Sequence, residues 1–96
     1  MAQVKAYLEI TMKIDGEKRN LAAQVYQNYR EPFLKDIHGA LSKELLVRDE
    51  DIQVLHGFDS KENAEAYLQS DLFTNDVFVG LKDLWNETPD VRIYSL

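Results

Sequence analysis

The sequence predicts an α+β fold in which helices cover one face of a four-stranded antiparallel sheet. Hydrophobic and polar residues alternate along 4–14, 41–47 and 52–58, and this period is typical of half-buried strands. A helical period follows the first and the third of these segments, and residues 91–96 predict a last strand. The resulting order of strand, helix, strand, strand, helix and strand is the ferredoxin-like arrangement of two split βαβ units.

The first helix is predicted to begin near residue 17, because Asp15-Gly16 ends the first strand with a typical turn pair. Pro32 lies inside the helical pattern, and its missing N–H predicts a kink or break near Glu31. Gly39 is the expected turn residue after this helix. The apolar side chains that should face the sheet recur at every fourth position, at Leu21, Val25, Tyr29 and Phe33.

The middle of the chain predicts a hairpin and then a helix in two pieces. The two central strands are joined by 48–51 alone, and so short a connection favours antiparallel pairing. Asp59 is predicted to cap the next helix with Glu62 as its capping-box partner, and Ser60 and Ser70 are further cap candidates.

Composition limits the class of protein. We expect one domain spanning 1–96. The formal net charge of −6 argues against binding nucleic acid, which needs clustered Lys and Arg, and against docking on an anionic membrane. There is no cysteine, so disulfides and thiolate metal sites are excluded. Since no long apolar run occurs, a cytoplasmic protein is expected.

A run of three carboxylates, Asp49 to Asp51, is the one candidate for a metal site. Adjacent carboxylates point in different directions, and no ligands at suitable spacing accompany them. The sequence therefore predicts a solvated turn here and no bound metal.

The sheet face turned away from the helices is predicted to form a homodimer interface. It carries Tyr7 and Glu9 on the first strand and Arg92 and Tyr94 on the last. Aromatic and charged side chains together suit a subunit contact, and so short a chain gains stability from a second layer. The alternative is an ordinary outer face with scattered apolar residues.

The segment HGFDSKENAEAYLQSDLF carries a resemblance to a known family. The spacing Phe58-x-Ser60, then Ala64, Tyr67 and Ser70-x-x-Phe73, is similar to that of antibiotic-biosynthesis monooxygenase-type domains of the dimeric α/β-barrel superfamily. The resemblance implies two sheets packed face to face. It also implies, for some members, cofactor-independent oxygenation of aromatic polyketides or quinols, and for others haem degradation.

The haem-degrading branch differs from this chain at three positions. That branch has a Trp at the position of Tyr67, a haem-ligating His at the position of Val77 and an Asn near Tyr7. The Val77 side chain has no atom that can bind iron. The resemblance therefore disfavours haem degradation here.

His56 is the candidate catalytic side chain. It alternates with Val54 and Phe58, which predicts that it points between the sheet and the helices. An imidazole of near-neutral pKa in an apolar pocket can deprotonate a phenol or quinol. The alternative is a core histidine that bonds the backbone, since no partner for it is visible in the sequence.

Aromatic residues are the candidate substrate-binding side chains. A cavity between helices and sheet lined by aromatic rings suits a planar ligand, whereas aromatics at helical spacing also occur in ordinary cores. The preferred members are Tyr67 and Trp85, because each has a polar atom that needs a partner. The predicted set is Tyr26, Tyr29, Phe58, Tyr67, Phe73 and Trp85.

Two functions remain open from the sequence. The first is an oxygenase that acts on a small aromatic or quinol substrate with no cofactor, because no flavin, nicotinamide or metal motif is present. The second is a non-catalytic dimeric module that binds a ligand or a partner on the same scaffold.

Overall fold

The strands and helices follow the predicted order. The computed structural model describes residues 3–96, and of residue 76 only the backbone. The strands are β1 (Ala6–Met12), β2 (Ala40–Val47), β3 (Ile52–Phe58) and β4 (Asp90–Ser95). The helices are α1 (Arg19–Asp36), preceded by a 3₁₀ turn at Gly16–Lys18, then α2 (Lys61–Tyr67), a π-helical segment (Leu72–Val77) and α3 (Phe78–Leu81).

The four strands form one antiparallel sheet in the order β2-β3-β1-β4. Leu8 on the inner strand β1 pairs with His56 on β3 and with Ile93 on β4. The two strands of the central hairpin therefore lie on one side of β1, and the last strand lies on the other. This topology confirms the ferredoxin-like prediction.

The core lies between the sheet and the helices. Every second residue of β1, from Ala6 to Met12, is buried on this side, as the alternation predicts. Three aromatic rings that are almost wholly buried, those of Phe33, Phe58 and Tyr67, pack edge to face or tilted against one another. Their mutual contacts hold α1 and α2 to the sheet.

Helix α1 does not end at Pro32, so of the predicted kink or break near Glu31 the break is wrong. A proline removes one helical N–H, and the carbonyl left without that donor belongs to Asn28, which is exposed to water. The next residue, Phe33, is wholly buried in the core. Burial of this ring outweighs the single lost hydrogen bond, and the helix runs on to Asp36.

The start of α2 is fixed by Ser60 rather than by Asp59. The Ser60 hydroxyl accepts a hydrogen bond from the Asn63 N–H, whereas the Asp59 carboxylate accepts one from the Asn63 side chain. Ser70 accepts from the Phe73 N–H and so caps the π segment, as expected.

Gly39 closes the turn between α1 and β2 in a left-handed conformation, with φ of 81°. A Cβ atom here would collide with the side chains of Asn63 and Asp59. We expect Gly39→Ala to lower the free energy of unfolding by about 2 kcal/mol, because alanine is strained at positive φ and has no space. Urea unfolding measures this change. Gly16→Ala is the matched control, since nothing lies within 4 Å of its added carbon, and an equal effect of both variants would contradict the prediction.

No helix within residues 3–96 is both long enough and apolar enough to cross a membrane.

Candidate functional site

An apolar cleft of about 350 Å³ opens between the sheet and the second half of the helical layer. Its size falls in the range of small-molecule sites. The cleft is open to solvent near Phe78 and Val91, which are 41% and 43% exposed. Its walls are formed by Ile10, Leu68, Phe73, Phe78, Trp85, Thr88, Pro89 and Val91.

The π segment shapes one wall of this cleft. The Phe78 N–H donates to the Phe73 carbonyl, five residues earlier, which is the hydrogen bond of a π-helix. The wider turn brings residues five apart onto nearly the same side of the helix. Phe73 and Phe78 therefore both face the cleft, and a regular α-helix would turn one of them away.

Trp85 also lines the cleft and is joined to the sheet. Its backbone makes an isolated antiparallel bridge with Ile14, just beyond β1. The neighbouring Asn86 N–H donates to the Lys13 carbonyl, and the Asn86 side chain donates to Asp15. The indole ring packs edge to face on Phe78 with 5.3 Å between ring centroids.

A second cavity, of about 20 Å³, adjoins the cleft at Ile10 and is lined by polar side chains as well. Lys43 and His56 lie opposite each other on β2 and β3, and both point toward the helices. Each residue is 2% exposed. The Lys43 ammonium lies 5.1 Å from the ring centroid of Phe33 and 5.8 Å from that of Tyr26.

Helix α1 holds the Lys43 strand in position. The Tyr26 hydroxyl donates to the Lys43 carbonyl at 2.6 Å, and the Arg30 guanidinium donates to the same carbonyl at 3.2 Å. Burial, together with the smaller effect of the nearby positive charge of Arg30, lowers the pKa of the Lys43 ammonium to about 8. The lysine is therefore still a cation at neutral pH, in a site that disfavours the charge.

His56 is a neutral imidazole in the folded protein. Burial, helped by the charge of Lys43, lowers its pKa to about 3 against the opposing effect of its bond to Leu8. Its Nδ1 lies 3.0 Å from the Leu8 carbonyl, which can only accept. The proton is therefore assigned to Nδ1, and Nε2 has a free lone pair.

We expect the stability of the protein to fall as the pH drops from 6.5 toward 3. The unfolded chain takes up a proton on His56 near pH 6.5, whereas the folded protein does not until about pH 3. Only the unfolded state gains a proton in this window, and the loss is about 1.4 kcal/mol per pH unit. Urea unfolding at about pH 7 and about pH 5 measures the slope.

His56→Asn keeps a donor for Leu8 but cannot titrate, so its stability should change less over the same pH range. His38→Asn is the matched control, because it makes the same substitution at an exposed histidine outside the core. A slope that is the same in wild type and His56→Asn would show that His56 does not cause it.

Tyr67 has a buried hydroxyl with no hydrogen-bond partner among the described residues. Its ring packs on His56, Phe33 and Phe73, with centroid distances of 4.9 to 5.4 Å. Burial raises the pKa of Tyr67, so the phenol stays neutral. An unpaired buried hydroxyl costs free energy and marks a position that a ligand or water can satisfy.

The structure separates the six predicted substrate-binding aromatics, so the expectation of one shared cavity is corrected. Phe73 and Trp85 line the apolar cleft, and Tyr26 lines the small cavity beside His56. Tyr67 borders a surface depression near His38, although most of its ring is in the core. Phe58 is wholly buried, and Tyr29 packs against the core. Most of these aromatic residues therefore pack in or against the core.

His56 lies where its alternation predicted, between sheet and helices. Its catalytic role stays a prediction, and the low pKa makes it a weaker base than a near-neutral imidazole. Lys43 is the residue that the sequence analysis missed. The signal was available, because Lys43 is two residues before the apolar Leu45 and so lies on the same face of β2, which packs on the core.

The acidic turn is less solvated than predicted. Asp51 is 4% exposed, and both of its carboxylate oxygens accept from the Arg48 guanidinium, at 2.7 and 2.8 Å. This pairing lowers the pKa of Asp51. Within the part of the chain that the structure describes, no cluster of three or more His, Asp or Glu side chains could hold a metal ion.

The outer sheet face has an apolar end and a charged end. At the apolar end, Tyr7 lies directly opposite Tyr94, which is 45% exposed. Further along, Glu9 lies opposite Arg92, beside a charged depression of about 360 Å³ that also borders Arg48.

Solved structures of other proteins share this fold. No protein-family model matches the chain, and no curated protein does either. A protein from Bordetella bronchiseptica, provisionally named an antibiotic biosynthesis monooxygenase, superposes with a TM-score of 0.84 at 12% identity, covering 98% of each chain. A conserved protein from Methanosarcina mazei Go1 gives 0.82 at 15% identity, covering 98% of this chain and 94% of that one.

A third structure contains a ligand. It is the monooxygenase from ActVA-Orf6 of Streptomyces coelicolor in complex with nanaomycin D, with a TM-score of 0.81 at 12% identity. The alignment covers 97% of this chain and 88% of that one. At such identities the likeness establishes the fold: this chain has the ferredoxin-like fold of antibiotic biosynthesis monooxygenase-like proteins.

Proposed function

We propose that the protein oxidises a small aromatic or quinol substrate that it binds in the apolar cleft, without a cofactor. The cleft itself carries the proposal: it is lined by apolar side chains, three of them aromatic, and has the volume of a small planar molecule. The ligand complex of the Streptomyces coelicolor monooxygenase, which shares the fold, supports the same class of ligand.

The substrate and O₂ alone account for all the atoms and electrons of the reaction. In an anthrone-type substrate, the activated CH₂ group and O₂ become a C=O group and water, so the substrate supplies all the electrons. The protein has to bind the ring, exclude water and favour loss of the first proton. His56 is the proposed catalytic group for this proton, with Nε2 as the acceptor.

Trp85 gives a direct test of binding, because it is the single tryptophan of the chain and lies in the cleft. Planar aromatics such as an anthrone or a hydroquinone should quench its fluorescence saturably. Val91→Phe, which narrows the mouth of the cleft, should weaken this binding, whereas Val79→Phe, at an exposed position outside the cleft, should not. Equal binding by both variants would place the ligand elsewhere.

Oxygen consumption with the same compounds then separates the enzyme from a binding module. The enzyme should consume oxygen faster than buffer, and His56→Ala should lose most of this rate while still quenching normally. Saturable quenching without oxygen consumption would establish the alternative, a non-catalytic ligand-binding module of the same fold. A rate equal in His56→Ala would remove His56 from the mechanism.

The same proposal includes a homodimer formed by the outer sheet face. The exposed aromatic pair at one end of this face, Tyr7 opposite Tyr94, supports it. Light scattering should give twice the chain mass for wild type and the monomer mass for Tyr94→Glu. Val79→Glu, at an equally exposed position on α3, should stay dimeric. A monomeric wild type at micromolar concentration would overturn this assembly.

A further inference from the structure

The apolar cleft and the small polar cavity are neighbouring parts of one region. Ile10 lines both of them from the sheet side. On the helix side, the π segment contributes Phe73 to the cleft and Val77 to the small cavity. π-helical turns frequently occur at functional sites. The Ile10 side chain would therefore separate a ligand that fills the cleft from Lys43 and His56.

Polar groups buried in this region lack the partners that buried polar groups usually have. The Lys43 ammonium is buried against the rings of Phe33 and Tyr26, and no described carboxylate lies within ion-pair distance of it. The Tyr67 hydroxyl, on a ring that contacts both Phe33 and His56, has no described partner. Buried cations and hydroxyls of this kind are stabilised when a complementary group is bound.

We propose that Lys43 is a specificity-determining residue that binds an ionised oxygen, a phenolate or enolate, of the aromatic ligand whose ring lies in the cleft. The inference rests on the proposed function, since it uses the same cleft. The ammonium donates to the anionic oxygen, and the hydrogen bond is strong because water is largely excluded. Neutral His56 adds no competing charge beside it.

The surroundings of the ammonium favour an anionic ligand. Two aromatic faces attract the cation weakly, and the guanidinium of Arg30 on α1 repels it. An oxygen anion at this place would satisfy the ammonium. A neutral ligand of the same shape would not.

The test compares two probes of nearly equal shape, nitrobenzene and 4-nitrophenol, by quenching of Trp85 corrected against free tryptophan amide. Near neutral pH, 4-nitrophenol is partly ionised, and its phenolate absorbance reports the ionisation of the bound molecule. Wild type should bind nitrophenolate about tenfold more tightly than nitrobenzene and should lower the pKa of the bound phenol. The affinity for nitrobenzene measures binding to the cleft without the phenolate oxygen.

Lys43→Met should remove the preference for nitrophenolate and leave nitrobenzene affinity within about twofold. Lys43→Arg should keep part of the preference, because it keeps the charge. Lys35→Met, which removes an exposed lysine of α1, is the matched control and should behave as wild type. The nitrobenzene affinity shows directly that each variant is folded with an intact cleft.

Four outcomes would overturn the inference. Equal affinity of wild type for both probes would show that the charge of Lys43 is already neutralised within the chain. A preference that survives in Lys43→Met would assign the anion to another group. If neither probe quenches Trp85, the cleft is no ligand site and the proposed function fails as well; quenching by nitrobenzene alone overturns only this inference.

Discussion

Phe33→Ala is expected to lower the free energy of unfolding by about 4 kcal/mol, the largest effect of any single change considered for this chain. The ring is wholly buried and is the centre of an aromatic cluster. It packs edge to face on His56, Phe58 and Tyr67, with centroid distances of 5.2, 5.6 and 4.9 Å. Its removal leaves a cavity that three elements share and that rigid strands cannot close.

Urea unfolding followed by circular dichroism measures this loss. Leu21→Ala is the control on the same helix, because Leu21 is 53% exposed and its truncation should cost less than about 0.5 kcal/mol. Small domains have only about 5–15 kcal/mol of stability, so Phe33→Ala is expected to be partly unfolded at 37 °C. A loss below about 2 kcal/mol would mean that the core repacks around the missing ring.

Lys43→Met is expected to stabilise the protein by about 2 kcal/mol at neutral pH. A folded pKa of about 8 against 10.5 means that burial penalises the charged lysine by roughly 3 kcal/mol. Methionine has a similar length and no charge, so it removes this penalty but loses the contacts of the ammonium with Phe33 and Tyr26. A stabilising loss of a polar residue is the usual sign of a site kept for function.

The pH dependence of the free energy of unfolding tests the same penalty on the charged lysine. Between about pH 8 and about pH 10.5 the unfolded chain keeps the Lys43 proton while the folded protein has lost it. The unfolded state then binds more protons, and wild-type stability should rise with pH in this window. Lys43→Met should lack this rise, and Lys35→Met, at an exposed position, should keep it. A destabilised Lys43→Met would show that the ammonium is well paired in the folded protein.

Alternation and turn residues were enough to predict the fold. The strands around Leu8, Val54 and Leu45 were recognisable because each buries one face, and that face has a period of two. Ser60 and Gly39 marked ends of helices because their chemistry is local: a hydroxyl that caps and a residue that tolerates positive φ. Such signals are present in the sequence before any tertiary contact forms.

Features that depend on tertiary contacts were not predictable in this way. The continuation of α1 past Pro32 depends on the burial of Phe33 against rings from β3 and α2. The π segment has no motif of its own, so its alignment of Phe73 with Phe78 was not visible. Without it, the aromatics that form the cleft could not be told apart from those that fill the core.

The side of the sheet to which Lys43 points was predictable, but the enclosure of its ammonium was not. Strand parity places its side chain on the helix side of β2. A lysine at such a position usually extends its ammonium to water, and here Tyr26 and Phe33 enclose it instead. Enclosure depends on the distance between α1 and the sheet, which no local pattern encodes.

The residues that line the cleft are held by two different kinds of local structure. The Trp85 side is joined to the end of the sheet by the Ile14 bridge and by the two hydrogen bonds of Asn86. Phe78 follows a π-helical segment, a geometry that occurs mostly as single turns and frequently at functional sites. The shape of the cleft therefore depends both on an extension of the sheet beyond β1 and on one wide helical turn.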